Sequence, residues 1–175
     1  MAERVGFEPT IRENRIRDFQ SRSFDLSDTT PREALLWLKL TVLCSRHNSS
    51  MDRTVISTPN APGAIGPYSQ AIRAGDFLFC SGQIPLTPAG ELIGGDVSAQ
   101  TEQVMKNIEA LLASQGLGFA NIVKTTIFLS DMAHFATVNE VYGKAFPANP
   151  PARSTVAVAG LPKNVDVEIE VLAVF

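Results

Sequence analysis

From residue 51 onward, apolar and polar positions alternate in short runs, and two longer stretches replace that alternation with helical spacing. "TVIST" (54–58) is a short strand, and the Gly/Pro-punctuated "NAPGAIGPYSQAI" (60–72) is a loop entering a second one. In "DFLFCSGQIPL" (76–86), a strand period puts Phe77, Phe79 and Ser81 on one side and Leu78, Cys80 and Gly82 on the other. "TPAGELIGGD" (87–96) is turn and loop. Val97, Val104, Met105, Ile108, Leu111 and Leu112 then recur at helical spacing, with Asp96 or Ser98 as cap and Gly116 and Gly118 as the stop. "NIVKTTIFL" (121–129) is a strand, and a second helix carries Phe135, Val138, Tyr142 and Phe146 and ends before Pro147. Two final strands, Ser154 to Val158 and Val165 to Val174, flank "AGLPKN".

The order β-β-β-α-β-α-β-β predicts an α+β domain, one sheet covered by two helices. Two helices cover only one face. Yet the strands offer apolar or small side chains to both: Ile127 and Leu129 oppose Thr126 and Phe128, and Val167 and Ile169 oppose Glu168 and Glu170. The second face needs a cover, which predicts a homo-oligomer with sites between subunits.

Bulk composition narrows the partners. The 175 residues are 45% hydrophobic and 19% charged with a net charge of −3, which suits one globular domain with length to spare. An acidic balance argues against nucleic acid or an anionic membrane as partner. Cys44 and Cys80 lack CxxC spacing and the only histidines are His47 and His134, so no zinc site or disulfide framework is expected, and a reducing cytoplasm is the default. The longest apolar run, Leu35 to Cys44, is interrupted by Lys39 and reaches about half the length of a membrane span.

Residues 1–50 do not resemble the rest. They carry eight Lys/Arg and seven Asp/Glu with no sustained apolar face, which leaves residues 51–175 with seven basic and eleven acidic side chains, a net −4. Glu3, Glu8 and Glu13 spoil both a secretory signal and an acid-poor transit peptide. Gly6-Phe7-Glu8-Pro9 can be encoded by GGATTCGAACCC, which contains the reverse complement of the tRNA T-arm consensus. The expectation is a spurious or disordered extension, with translation starting at Met51.

Arg153 is the first candidate for chemistry. It follows two prolines and an alanine and leads into an alternating strand, where a buried guanidinium is costly unless an anion meets it. The anion is either Glu168 or Glu170 on a neighbouring strand, or a substrate carboxylate at a subunit interface; the planar fork matches both. Glu168 and Glu170 lie two apart and share a face. Glu170 reads as an exposed edge charge, while a glutamate near Arg153 could position or deprotonate a water. Spacing does not choose between these roles. Gly82 follows a strand, where a missing side chain lets a ligand approach backbone N–H groups. Tyr68 and Asn139 stand beside apolar runs, as packing and capping residues do. Cys80 reads as a small buried strand residue with no neighbour to lower its thiol pKa, and His134 as a surface residue at a helix start.

Taken together, "NAPGAIGPYSQA", "CSGQIP", "IVKTTIFLSDMAHFATVNEVY", "PARSTV" and "LPKNVDVEIEVLAV" closely resemble the Rid family, the reactive intermediate deaminases of the YjgF superfamily. The resemblance runs from about Arg53 to Phe175; residues 1–50 have no counterpart in it. It implies a chorismate-mutase-like α+β fold in a trimeric, barrel-like assembly with three clefts between subunits. It also implies hydrolysis of reactive 2-imino and enamine acids, such as 2-aminoacrylate, to 2-keto acids and ammonia, without a cofactor. On that resemblance Arg153 clamps the substrate carboxylate and Glu168 orients the attacking water. Backbone donors at Gly82 and Thr155, with Tyr68, Ser81 and Asn139, shape the pocket. Thr155 stands where many relatives have cysteine, and because the implied contact is through its backbone N–H, the exchange bears on substrate preference or removes a redox-sensitive thiol.

Two other classes compete with the deaminase. A ribonuclease or translation inhibitor is disfavoured by the acidic domain, the lack of a basic stripe with aromatics, and the lack of a His pair for acid–base cleavage. A non-catalytic binder of small carboxylates, or a chaperone-like protein, would need Arg153 alone; Glu168 is the feature that favours an enzyme.

Overall fold

Six strands and two helices follow one another in the expected order: β1 (Arg53–Ile56), β2 (Ala71–Ala74), β3 (Phe77–Gln83), α1 (Val97–Ala113), β4 (Ile122–Leu129), α2 (Phe135–Gly143), β5 (Ala152–Ala157) and β6 (Val167–Val174). The computed structural model describes residues 52–175 and Thr30. The chain divides into two units, Met1–Ser49 and Ser50–Phe175. The expectations for residues 1–50, for a start at Met51, and for Cys44 and His47 lie outside the described residues.

The strands form one mixed sheet in the order β1-β2-β3-β6-β4-β5, antiparallel throughout except for β4 and β5. That parallel pair requires a crossover, which α2 supplies. Gly75, at φ +59°, makes the two-residue turn between β2 and β3. The carboxylate of Asp96 caps α1 by accepting from the Ala99 N–H at 2.8 Å. Gly116, at φ +71°, ends that helix as the Leu117 N–H returns to the Leu112 carbonyl at 3.0 Å. Helix α2 closes at Gly143, short of the expected Phe146. Beyond it the bonds tighten to i→i+3, such as Phe146 N–H to Gly143 O at 3.1 Å.

One face of the sheet carries the core. Leu78, Ile127, Leu129, Val167, Ile169 and Ala173 are almost wholly buried against Val104, Ile108, Leu111 and Leu112 of α1 and Val138 of α2. Each fully buried Leu or Ile contributes roughly 1.5–3 kcal/mol, so this face holds the domain together. The other face stays open: Val55, Phe77, Phe79 and Val156 are 43–60% exposed.

Register corrects two expectations. Pairing of β3 with β6 slips between Cys80 and Gln83, where a bulge inserts a residue into the ladder. Gly82 therefore does not share the core side with Leu78 and Cys80; it faces Glu168 on the open side. The strand expected from Ser154 begins at Ala152, so Arg153 lies within it and pairs in register with Thr125 of β4. The last strand begins at Val167 rather than Val165. A 3₁₀ turn at Pro162–Asn164 precedes it, with Lys163 and Asn164 at φ +57° and +54°.

Candidate functional site

A cavity of about 540 Å³ opens on the uncovered face, lined by Tyr68, Ser81, Gly82, Lys163, Glu168 and Glu170 among others. Four of the expected site residues meet there. The end of the Glu168 side chain lies directly over the α-carbon of Gly82: a Cβ added to Gly82 would fall 2.8 Å from Glu168 Cδ. The expectation that Gly82 leaves room for a ligand is thus refined, because its missing side chain makes room for the Glu168 carboxyl. That carboxyl is half-buried, and its pKa is pushed above the ordinary carboxylate value first by burial and then by the charge of Glu170.

The wall of this cavity is held by polar groups that periodicity does not reveal. Gln70 is buried; its Oε1 accepts from the Thr58 N–H at 2.7 Å, and its Nε2 donates to the carbonyls of Thr58, Ala61 and Pro62 at 3.1, 3.2 and 2.8 Å. The Ser81 hydroxyl donates to the Ser69 carbonyl at 2.6 Å, and the Ser81 N–H to the Gln70 carbonyl at 3.0 Å. Ser81 therefore fastens the 57–70 loop to β3. Tyr68 is half exposed, and its hydroxyl accepts from the Ile65 N–H at 3.1 Å. Opposite, Asn107 of α1 donates to the Ile84 and Leu86 carbonyls at 3.2 and 2.9 Å and pins the segment after β3. A signal existed for Asn107: it is a polar residue at a core-facing helical position, which calls for a buried partner.

Arg153, Thr155 and Asn139 form a second group elsewhere. Arg153 lies on the helix-covered side at the edge strand, its guanidinium 5.0 Å from the ring centre of Tyr142 and 5.8 Å from that of Phe135. Both rings belong to α2, and Asn139 falls on the same helical face at i+4 from Phe135 and i−3 from Tyr142, exposed to solvent. The Tyr142 hydroxyl donates to Thr125 Oγ1 at 3.1 Å, which fixes the ring beside the strand position that pairs with Arg153. Burial raises the Tyr142 pKa above its usual value, with smaller opposing effects from the Thr125 hydrogen bond and the Arg153 charge. Thr155 shares the face of Arg153 two residues on, in register with Ile127.

A salt bridge from Arg153 to Glu168 or Glu170 does not form. Glu168 pairs with Phe128 on the open face, whereas Arg153 pairs with Thr125 on the core face. Among the described residues Arg153 has no carboxylate within ion-pair distance. His134 stays partly exposed at the surface, and its Nε2 stands 3.6 Å from Asp166 Oδ1. Asp166 also accepts from Ser130 Oγ and from Gln100 Nε2, both at 2.8 Å, so this cluster clamps α1 to the residue after β4 and the residue before β6. Cys80 is buried, and desolvation pushes its thiol up to about 12, where it is inert at neutral pH. Among the described residues no group of His, Cys, Asp and Glu is placed to hold a metal ion.

The family model described as Endoribonuclease L-PSP matches residues 58–175. The chain belongs to this family, the YjgF/Rid family. Protein DfrA of Myxococcus xanthus is 54% identical over 127 residues, covering 71% of this chain and 97% of that protein. The human 2-iminobutanoate/2-iminopropanoate deaminase is 47% identical over 127 residues, covering 72% of this chain and 93% of its own. Among solved structures, E. coli TdcF with bound serine superposes with a TM-score of 0.67 at 45% identity, covering 70% of this chain and 98% of that one. This member of the YjgF/Rid family shares its mixed α+β fold with such solved neighbours.

Proposed function

We propose that this YjgF/Rid protein hydrolyses reactive 2-imino and enamine acids to 2-keto acids and ammonia, in clefts completed by two copies of a homotrimer. The observation that carries the reading is Arg153: a ring-flanked guanidinium without a carboxylate partner among the described residues. A guanidinium held in that way is a ready receptor for a carboxylate. The open apolar face supports the assembly, since Phe77 and Phe79 need a cover and the Glu168 cavity sits on that same side.

The chemistry asks little of the protein. A protonated imine carbon is already electrophilic, and an enamine reaches it by taking a proton on its β-carbon. Water oxygen bonds to that carbon as the C=N pair moves onto nitrogen. Glu168 takes the proton from water and returns it to nitrogen. The C–N bond then breaks as the new hydroxyl passes its proton to Glu168, releasing 2-keto acid and ammonia, which carries that proton away as ammonium. Orientation by Arg153 and a base at Glu168 each contribute a factor of roughly 10² or more. The name of the matching family model raises an RNA-cleaving alternative, but the acidic balance gives it no support here. A cytoplasmic setting is part of the proposal; among the described residues no helix is long and apolar enough to cross a membrane.

A coupled assay with the full chain tests it. A PLP-dependent serine or threonine dehydratase generates the imine, and keto-acid formation is followed with and without the protein. Acceleration that disappears in Arg153→Ala supports the reading. No acceleration from folded protein sinks it and leaves a carboxylate binder.

A further inference from the structure

Lys163 stands in a backbone conformation that lysine seldom adopts. Its φ of +57° lies in the left-handed region, at the centre of the 3₁₀ turn Pro162–Asn164. A Cβ makes that region costly, and glycine or asparagine is its usual occupant. The described residues follow that rule elsewhere: positive φ is otherwise carried by five glycines and by Asn149 and Asn164. The turn is held by its backbone, Asn164 N–H to Leu161 O at 3.1 Å and Val165 N–H to Pro162 O at 3.4 Å, and by the buried Val165. None of this uses the lysine side chain, so glycine at 163 would build the same turn without the strain. The side chain is explained by what it meets outside the turn.

What it meets is the cavity of Glu168. Lys163 lines that cavity with Glu168 and Glu170, yet among the described residues its ammonium pairs with neither carboxylate. A cation and two carboxylates thus share about 540 Å³ without closing on each other. A volume of that order encloses drug-sized ligands, far more than a three-carbon imino acid fills. Much of the remaining wall is apolar, including Ile65, Ile84 and Leu86. Gln70, Ser81 and Gln83 already donate to backbone carbonyls, which leaves Lys163 as the one cation among the described lining residues.

We propose that Lys163 is a specificity-determining residue that reads the far end of the substrate side chain. It favours 2-imino acids that end in a second carboxylate, the imines of four- and five-carbon dicarboxylic amino acids. Glu168 serves the imine carbon in one part of the cavity, and the Lys163 ammonium receives the far carboxylate in another. The flexible four-carbon stem lets one lysine reach side chains of either length. This assignment rests on the Glu168 cavity as the place of reaction and adds a substrate class to it.

Two stable 2-keto acids of similar length test it: 2-oxoglutarate, with a charged end, and 2-oxohexanoate, with an apolar one. Both are titrated calorimetrically into the full chain as wild type, Lys163→Met, Lys163→Gly and Lys163→Arg, alongside ligand-free thermal unfolding. Wild type should bind 2-oxoglutarate at least as tightly as 2-oxohexanoate. Lys163→Met should weaken 2-oxoglutarate roughly three- to tenfold, since Lys163 is exposed, and leave 2-oxohexanoate within about twofold. The wild-type preference should shrink toward that of Lys163→Met at high salt. Lys163→Gly should repeat the loss with a ligand-free Tm unchanged or raised, because glycine relieves the turn. Lys163→Arg should keep the ratio of the two affinities. An unchanged ratio in Lys163→Met and Lys163→Gly overturns the inference, and so does an equal loss for both ligands, which would make Lys163 a wall of the cavity and nothing more. A wild type that clearly prefers 2-oxohexanoate also overturns it, while the reading of the cavity as the reaction site stands. A wild type that binds neither keto acid overturns both.

Discussion

The carboxyl of Glu168 rests against the α-carbon of Gly82, in space that any larger residue at position 82 would fill. The contact exists because a bulge in β3 turns Gly82 toward the open face, where the neighbouring strand presents Glu168. Gly82 is required for space, not for backbone conformation, since its φ is not among the positive ones. Two residues 86 positions apart in sequence thereby define one position in the cavity wall.

Gly82→Ala separates activity from stability. The obstructing atoms are the end of a flexible side chain, so the fold accommodates the methyl group by displacing Glu168. Turnover should drop roughly 10²-fold, the scale of a misplaced general base. The Tm should fall by only a few degrees, the shift produced by about 1 kcal/mol of overpacking. A Tm loss large enough to unfold the protein at room temperature would refute this division.

The pH profile should report Glu168. Its folded pKa is raised by burial and by Glu170, and in the proposed mechanism the working form is the carboxylate. Activity therefore falls with decreasing pH, with a midpoint above the ordinary carboxylate value of 4.5. The stability effect has the opposite sign. A group whose folded pKa is raised favours the folded state while protonated, and that contribution is lost as pH rises through the folded pKa. Glu168→Gln should then abolish most turnover, keep ligand affinity, and raise the Tm at neutral pH. Glu170→Gln should shift the acid limb downward. An acid limb unmoved by Glu170→Gln would remove Glu170 from the site.

Much of this arrangement can be read from residue order, and the rest depends on pairing. The stripe Val104, Ile108, Leu111 and Leu112 announces α1 because core burial imposes a 3.6-residue period. Alternation in β4 and β6 shows which residues face the helices, since a strand has period two. Gly82 breaks that rule because a bulge arises from the partner strand, which local sequence does not contain. The Gln100–Asp166 clamp joins residues 66 positions apart, beyond any local window. Strand order places Arg153 and Glu168 on opposite faces; until the register is known, both look like neighbours in adjacent strands.

On the proposed reading Tyr142 positions Arg153, and two substitutions resolve its parts. Tyr142→Phe keeps the ring beside the guanidinium but removes the hydrogen bond to Thr125. It should cost about 1–2 kcal/mol of stability and raise KM only a fewfold. Tyr142→Leu removes the ring itself, so KM should rise roughly tenfold with a smaller change in kcat, as expected from losing about 1 kcal/mol of cation–π contact and some orientation. Equal effects on kcat and KM in both variants would assign Tyr142 to packing alone.

If Arg153 serves one cleft and Glu168 another, inactive variants should rescue each other. Within one protomer the two side chains lie on opposite faces of the sheet, so on the proposed reading a cleft takes Arg153 from one copy and Glu168 from the next. Arg153→Ala and Glu168→Gln homotrimers are each expected to be inactive. Unfolding and refolding them as an equal mixture creates clefts in which an intact Arg153 meets an intact Glu168. For a cyclic assembly with random mixing, each cleft draws its two residues from independent copies, so roughly one in four is intact. Recovered activity near a quarter of wild type would establish a composite site. Activity no greater than that of the separate variants, with mixed trimers verified by native mass spectrometry, would mean that both residues act in the same protomer or that one of them plays no part.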